Sequence, residues 1–195
     1  NPLESGGRED LAAVLAGKPD IVLMSKVEAP EQVRALGEAA PGFDLVPNIE
    51  SARALLRAQE IARASARVIA LLVASEDMVA DLGTSRSRGG EELAYVRQRF
   101  LVECRAAGVE AIDAPYTFSD AQGAVADAKW AARMGYRMKS LVEPAHAKPL
   151  NRVFTPDFAR AARIVAAFEK ARAQGRERAR VAGALIEVPI YAAAK

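Results

Sequence analysis

The stretch VIALLVASED, residues 68–77, decides the fold of this chain. Its first seven residues form a nearly unbroken apolar run, which is typical of a strand buried on both faces of a parallel sheet. An acidic residue, Asp77, follows closely after this run. A second apolar run, LVPNI at residues 45–49, ends in the same way at Glu50. Because parallel α/β folds place their chemistry at the carboxyl ends of strands, both carboxylates are candidate functional residues.

Strand-like and helix-like runs alternate on both sides of these two stretches. The predicted strands are Ile21–Met24, Leu45–Ile49, Val68–Val73, Val109–Ile112 and Ser140–Val142. The predicted helices are Pro30–Ala40, Ala52–Ala66, Gly89–Ala107, Asp120–Met134 and Pro156–Gly175. This alternation predicts an α/β fold with a parallel sheet and right-handed crossovers.

Five strands within the first 145 residues match five eighths of a TIM (β/α)8 barrel, which takes about 250 residues when complete. We expect residues 1–150 to form this barrel portion and residues 151–195 to form a C-terminal helix and tail. An open doubly wound sheet also fits the order of elements, although the chain contains neither G-x-G-x-x-G nor G-x-x-x-x-G-K-[ST].

Composition narrows the classes of function. Of the 195 residues, 51% are hydrophobic and the formal net charge is only +2, which predicts a globular protein and gives no argument for nucleic-acid binding. No apolar run reaches about 18 residues, so no membrane span is predicted. The single cysteine, Cys104, is expected to be buried, and the cytoplasm is the simplest compartment. The single histidine, His146, is expected in an exposed loop.

The two strand-end acids allow two interpretations. Carboxylates that meet at one edge of a sheet suit a hard divalent cation such as Mg²⁺, which prefers oxygen ligands and keeps water or substrate oxygens. The alternative is that Glu50 and Asp77 are helix caps or exposed loop acids, since acids are common just before helices.

An ordered set of motifs resembles the citrate lyase beta-subunit (CitE-like) and malyl-CoA lyase family, within the HpcH/HpaI aldolase superfamily. The set consists of IVLMSKVE (21–28), PNIESA (47–52), AQEIA (58–62), RVIAL (67–71), SEDMVADLG (75–83), AAGVEAID (106–113), Pro115-Tyr116, and parts of the C-terminal region at 151–156 and 183–189. The resemblance covers essentially the whole chain.

The resemblance implies a TIM barrel that assembles into homotrimers or hexamers and binds Mg²⁺ through Glu50 and Asp77. It also implies an acyl-CoA or oxo-acid substrate. Lys26 and Lys139 are candidate substrate-binding residues that could offer charge to a carboxylate or to CoA phosphates, and the alternative is that both are solvated lysines at strand ends. In this family the tail reaches a neighbouring subunit, and the matching acid here is Glu187, a candidate catalytic general acid or base. The alternative is that Glu187 has only a rim or salt-bridge role.

The chain departs from the family pattern at several points. Ala74 stands where the family has glycine, Glu143 stands where it has histidine, and Glu187 stands where it has aspartate. The strands that open the family's barrel have no counterpart here, so we expect the chain to be part of a longer protein.

The sequence thus predicts a Mg²⁺-dependent carbon–carbon lyase that cleaves a citryl-, malyl- or citramalyl-type 3-hydroxyacyl-CoA to acetyl-CoA and an oxo acid. Two alternatives stay open. One is a CoA-independent aldolase for pyruvate or oxaloacetate, and the other is a diverged, non-catalytic subunit, which the changes at Ala74 and Glu143 would favour.

Overall fold

A computed structural model describes residues 2–195 in two compact units. The first unit runs to Phe154 and the second from Thr155 to Lys195. Each unit has its own buried apolar cluster. The final helix of the first unit runs past residue 150, because Leu150 packs with Tyr116, Ala124 and Ala128 in a small satellite core.

The first unit begins with an irregular helical turn at Leu3–Gly7 and then alternates helices with strands. The strands are β1 (Ile21–Met24), β2 (Asp44–Ile49), β3 (Ala70–Val73), β4 (Glu110–Asp113) and β5 (Met138–Lys139). The α-helices are α1 (Arg8–Ala16), α2 (Pro30–Ala39), α3 (Ala52–Leu56), α4 (Ala58–Ala62), α5 (Glu76–Asp81), α6 (Ala94–Ala107), α7 (Ala121–Met134) and α8 (Ala147–Phe154). Short 3₁₀ turns occupy Glu91–Leu93 and Pro144–His146.

The five strands form one parallel sheet in the order β1-β2-β3-β4-β5. Each new strand is added to the same side of the previous one, which is the winding of a (β/α)8 barrel wall. A doubly wound sheet would instead reverse direction at a switch point. The predicted α/β class and barrel portion are therefore confirmed, and the doubly wound alternative is wrong.

The two faces of this sheet differ in burial. The helix-facing residues form the main core, which includes Leu45, Ile49 and Leu71, each 0% exposed. On the other face Ile21 and Leu23 remain 47% and 55% exposed. That face corresponds to the interior of a barrel, where branched apolar residues are expected.

Two predicted helices differ from those observed. The helix predicted for Ala52–Ala66 is two short helices, α3 and α4, because Arg57 has φ −113° and ψ 9° and leaves the helical conformation. The helix predicted from Gly89 becomes α-helical only at Ala94, because Gly90 takes the left-handed conformation with φ 71°.

The last strand of the sheet also differs from its prediction. Sheet pairing occurs at Met138 and Lys139, which pair with Ile112 and Asp113. The predicted strand Ser140–Val142 lies beyond this pairing, and Leu141 and Val142 are exposed. Their apolar character therefore gave a false strand signal.

Helix α8 was not predicted from the sequence, which has prolines at positions 144, 149 and 156 in and around this segment. Pro149 lies in the first turn of α8, where a backbone N–H has no partner within the helix, so proline is tolerated there.

The second unit consists of α9 (Phe158–Ala173), an antiparallel hairpin of β6 (Ala179–Val181) and β7 (Ala184–Ile186), and α10 (Val188–Ala194). Ile164, Phe168 and Ile186 form its core, and the Phe168 ring stacks on Tyr191 with centroids 4.6 Å apart. Across residues 2–195, no helix is long and apolar enough to cross a membrane.

Candidate metal and substrate site

The structure brings the two predicted metal ligands together. Glu50 follows the last residue of β2, and Asp77 lies in the first turn of α5, just after β3. The two strands are paired at their ends through Ile49 and Val73. Burial raises the pKa of Glu50 above its ordinary value, and the nearby negative charge of Asp77 raises it further. Both acids thus follow paired strand ends at the carboxyl edge of the sheet, and the charge of Asp77 acts on Glu50.

Both oxygens of Glu50 are oriented by hydrogen bonds. The backbone N–H of Lys26 donates to Oε2 at 3.1 Å, and the side-chain amide of Asn48 donates to Oε1 at 2.5 Å. These bonds favour the ionised form, but burial outweighs them in setting the pKa. Glu50 is therefore held in one orientation while its negative charge remains poorly compensated.

The loop that supplies the Lys26 amide is held in place by Gln32. The Oε1 atom of Gln32 accepts from the backbone N–H groups of Glu28, at 2.7 Å, and Ala29, at 3.0 Å. Lys26 itself has the left-handed φ of 56°, which is uncommon for a residue with a side chain. The loop after β1 is therefore shaped to present one N–H group to Glu50.

The loops that carry the two acids are also tied to each other. The Asp81 carboxylate accepts from the backbone N–H of Ala52 at 2.8 Å, which links α5 to the start of α3. Ser51 caps α3 by accepting from the N–H of Ala54 at 3.1 Å, and it donates to Glu28 at 2.8 Å. These links fix Glu50 relative to Asp77.

Two buried polar atoms near the acids lack a hydrogen-bond partner within the described residues: Asn48 Oδ1 and Ser75 Oγ. A buried polar atom without a partner is unfavourable by about 1–3 kcal/mol, so such atoms often mark a place where another group binds. Asn48 lies two residues before Glu50, and Ser75 lies two residues before Asp77. The unpaired atoms thus belong to residues two positions before each carboxylate along the chain, and Asn48 also contacts Glu50 directly.

This donor set fits a hard cation. Among residues 2–195 no group of three or more His, Cys, Asp or Glu side chains is arranged to hold a metal, so zinc-type coordination has no support in the described part. Two carboxylates with amide and hydroxyl oxygens beside them match the preference of Mg²⁺, which keeps several water or substrate oxygens.

The predicted substrate residue Lys26 lies at the edge of this site. Its side chain is exposed, and its positive charge acts on Glu50 in the direction that lowers the pKa. Its ammonium is therefore placed where it can meet an anionic substrate, and that role stays a prediction.

Lys139 lies in a different environment. Its side chain is 0% exposed, and its ammonium pairs with Asp113 Oδ2 at 2.7 Å and Asp127 Oδ2 at 2.5 Å and donates to the carbonyl of Ala114. These three acceptors match the three N–H donors of an ammonium group. The predicted substrate role of Lys139 stays a prediction, and the geometry favours a structural role.

Arg97 completes this buried network. Its guanidinium makes a bidentate pair with Asp113 at 2.8 and 2.6 Å and binds Asp127 at 2.7 Å. The guanidinium also lies 4.2 Å from the centroid of the Trp130 ring. Although burial opposes ionisation, the charges of Lys139 and Arg97 hold the pKa of Asp127 below its ordinary value. Asp113 is thus a structural residue between sheet and helices.

The predicted catalytic residue Glu187 belongs to the second unit. It directly precedes α10, and its carboxylate pairs with Arg178 Nε at 2.9 Å while remaining 47% exposed. It is therefore available for proton transfer at a surface, and its catalytic role stays a prediction.

The interpretation of His146 as an exposed loop residue is wrong. The side chain is 1% exposed, because the turn Pro144–His146 packs against Tyr116, and the ring centroids lie 6.3 Å apart. Its Nε2 lies 3.1 Å from the Ser119 carbonyl and donates to it. Glu143, the departure from the family's histidine, accepts from the Ala145 N–H at 3.3 Å and caps this turn.

Sequence reasoning missed Asn48, although a signal was available. Residues alternate faces along a strand, so Asn48 shares a face with Glu50 and interrupts an otherwise apolar run. Sequence reasoning also missed Arg97 and Asp127. Arg97 on α6 pairs with Asp113 on β4 and with Asp127 on α7, and both partners are distant from it in sequence.

Comparison with known proteins agrees with this geometry. Residues 1–144 match the HpcH/HpaI aldolase/citrate lyase family. The chain belongs to this family. It is 33% identical to the citrate lyase subunit beta of Haemophilus influenzae, over 100% of this chain and 72% of that protein. It is 34% identical to a (3S)-malyl-CoA thioesterase of Cereibacter sphaeroides, over 93% of this chain and 65% of that protein.

A solved structure extends this similarity to three dimensions. CitE from Mycobacterium tuberculosis, in complex with magnesium, acetoacetate and coenzyme A, superposes with a TM-score of 0.80 at 27% identity, covering 97% of this chain and 71% of that one. The citrate lyase beta subunit from the same organism, complexed with oxaloacetate and magnesium, gives 0.67 at 31% identity, covering 78% and 69%. The chain thus spans about two thirds to three quarters of the length of these relatives.

Proposed function

We propose that this protein is a Mg²⁺-dependent carbon–carbon lyase that cleaves a short 3-hydroxyacyl-CoA of the citryl, malyl or citramalyl type to acetyl-CoA and an oxo acid. The observation that carries the proposal is the pair of strand-end carboxylates, Glu50 and Asp77, with poorly compensated charge and unpaired polar atoms beside them. Relatives that bind magnesium with acetoacetate or oxaloacetate support this assignment.

The metal would be held by Glu50 and Asp77, with Asn48 and Ser75 close enough in sequence to assist. When bound, a divalent cation supplies positive charge that stabilises the oxygens of an α-hydroxy or α-oxo acid. Asn48 and the Lys26 amide keep the Glu50 carboxylate in position, so little reorganisation is needed when a ligand arrives.

The reaction needs one base and one acid. The substrate hydroxyl loses its proton and becomes a carbonyl, and the carbon–carbon bond breaks. Its electron pair moves onto the thioester as an enolate, which then takes up a proton to give acetyl-CoA. Glu187 is our candidate for the general acid or base in these proton transfers. It would act from the tail of a neighbouring subunit in a homotrimer or hexamer. The exposed Lys26 would neutralise a substrate carboxylate.

A thioester hydrolase is the second candidate, because a relative that is 34% identical is a (3S)-malyl-CoA thioesterase. The same site could serve both reactions by binding the acid portion of the substrate. The two activities differ in products, since hydrolysis of malyl-CoA gives malate and free CoA, whereas cleavage gives glyoxylate and acetyl-CoA.

The test is to incubate the protein with malyl-, citramalyl- and citryl-CoA, with and without Mg²⁺, and to identify the products by mass spectrometry. Glu50→Gln and Asp77→Asn should abolish turnover and weaken Mn²⁺ binding, measured by electron paramagnetic resonance with Mn²⁺ as a substitute for Mg²⁺. Glu38→Gln, an exposed acid on α2, is the matched control and should change neither. Malate and free CoA, with no acetyl-CoA, would favour the hydrolase, and metal binding without turnover of any thioester would contradict both candidates.

A further inference from the structure

A groove of about 520 Å³ lies between α7 and α8, on the outer surface of the first unit. Its lining combines apolar and cationic side chains: Val125, Lys129, Ala132, Arg133, Pro149, Arg152 and Val153. The apolar members are all half-buried and form the floor. The cations are all exposed and form the rim.

The three rim cations are uncompensated. Lys129, Arg133 and Arg152 have no ion pair or side-chain hydrogen bond to any residue in the range 2–195. By contrast, Asp127 on the inner side of α7 is fully used by Arg97 and Lys139. The groove therefore carries a local charge of three positive groups beside an apolar floor, in a chain whose net charge is only +2.

The groove is separate from the candidate metal site. Arg133 lies in the last turn of α7, and the chain then enters β5 at its first residue, Met138. This end of α7 therefore lies at the amino edge of the sheet. Glu50 and Asp77 lie at the carboxyl edge. A ligand in the groove would leave the metal site accessible.

The position of the charges argues against a small anion as the ligand. Sites for phosphate or sulfate usually use helix N-termini, whose N–H groups point at the anion. Here Arg133 and Arg152 lie in the last turns of their helices, where the backbone N–H groups are already used within the helix and none is free to bind a small anion. An apolar floor also gives a small anion no partner, but it suits the apolar face of a helix.

The spacing of the cations suits an acidic helix. Lys129 and Arg133 are four residues apart, which is about 6 Å along α7. Carboxylates at a spacing of three or four residues on a partner helix have nearly the same separation. We propose that the α7–α8 groove binds an acidic amphipathic helix of a partner protein, with its carboxylates on Lys129, Arg133 and Arg152 and its apolar side chains on the floor.

The test uses a dye-labelled synthetic peptide of about 18 residues, long enough to be helical in water, with leucines on one face and glutamates beside them. Fluorescence anisotropy should show binding to the full protein that weakens as salt is added, because rim charges are screened. The triple variant Lys129→Glu, Arg133→Glu, Arg152→Glu should bind the peptide at least tenfold more weakly.

The matched control is Arg8→Glu, Arg160→Glu, Arg163→Glu, which makes the same change in net charge at exposed positions elsewhere. It should retain affinity within twofold. Equal loss in both variants would show attraction by net charge alone and overturn the proposal. So would absence of peptide binding, or tighter binding of tripolyphosphate than of the peptide at the same residues, which would indicate a small-anion site.

Discussion

Replacing Lys139 with methionine should destabilise the protein strongly, even though lysine substitutions are usually mild. The ammonium is fully buried and pairs with Asp113 and Asp127. Methionine keeps most of the apolar length of the side chain but removes its charge. Two buried carboxylates would then share a single cation, Arg97, and the carbonyl of Ala114 would lose its donor.

The expected magnitude follows from the balance of charges in this network. The two cations and two carboxylates are neutral together, so the variant leaves one uncompensated negative charge in the interior. Removing one partner of a buried ion pair usually lowers the free energy of unfolding by about 3–5 kcal/mol, because the other charge stays buried without compensation. With a urea m-value of about 2 kcal/mol per molar, the unfolding midpoint should fall by about 1.5–2.5 M.

The assay can follow the network directly. Trp130 is the only tryptophan of the chain, and its ring lies against the guanidinium of Arg97. Its fluorescence during urea unfolding therefore reports on the first unit, which contains the network. Adding Asp127→Asn to Lys139→Met restores neutrality, so the double variant should be less destabilised than the sum of the two single variants.

Lys129→Met is the matched control, since Lys129 is exposed on the same helix as Asp127 and has no ion pair within the described residues. It should change stability by less than about 0.5 kcal/mol. If Lys139→Met were equally mild, the buried network would not stabilise the fold. If it instead left stability unchanged and impaired substrate binding, the substrate role predicted from the sequence would be correct.

Three further predictions concern single sites. Burial raises the pKa of Cys104 to about 12, from 9.0, so the native thiol should react about a thousandfold more slowly with iodoacetamide than the unfolded chain at pH 8; equal rates would contradict this. Gly108 ends α6 with φ 79° and has open space around it, so Gly108→Ala should cost about 1–2 kcal/mol from backbone strain alone, measured by urea unfolding; a change under about 0.5 kcal/mol would refute it. The carboxyl of Glu50 should titrate above 4.5 in an NMR titration, and Asp77→Asn should lower its midpoint. Between pH 4.5 and the raised pKa, the folded protein holds a proton on Glu50 that the unfolded chain has released. The contribution of Glu50 to the free energy of unfolding should therefore fall as pH rises through this range, and Glu50→Gln should remove that fall.

The sequence was sufficient to predict the features that depend on short-range pattern. Apolar runs of four to six residues identified four of the five strands, and Gly108 and Gly135 marked the ends of α6 and α7 through their left-handed conformations. The parallel pairing of the strands also followed from the alternation of elements, whereas the choice between a barrel wall and a doubly wound sheet required the observed strand order. These features need only the local chain and the rule that crossovers are right-handed.

The features that the sequence did not reveal depend on contacts between distant residues. The pair Arg97–Asp113 spans 16 positions, and Lys139–Asp113 spans 26. A lysine after a strand looks the same in sequence whether it faces solvent or a buried carboxylate. The error at β5 has the same origin, because pairing at Lys139, and not the apolar character of Leu141 and Val142, determined where the strand lies.

The contrast between Glu50 and Asp113 suggests how a strand-end acid can be assigned a role. Side chains alternate between faces of a sheet, so an acid shares its face with the residue two positions earlier. Two before Asp113 is Ala111, which belongs to the core under the helices, and Asp113 is correspondingly enclosed in ion pairs. Two positions before Glu50 is Asn48, which donates a hydrogen bond to Glu50. Asn48 lies on the face of the sheet opposite to that of its neighbour Ile49, a core residue. The face that lacks helices is the one that a ligand can reach, so we expect Glu50 to take part in chemistry, whereas the ion pairs of Asp113 indicate a structural role.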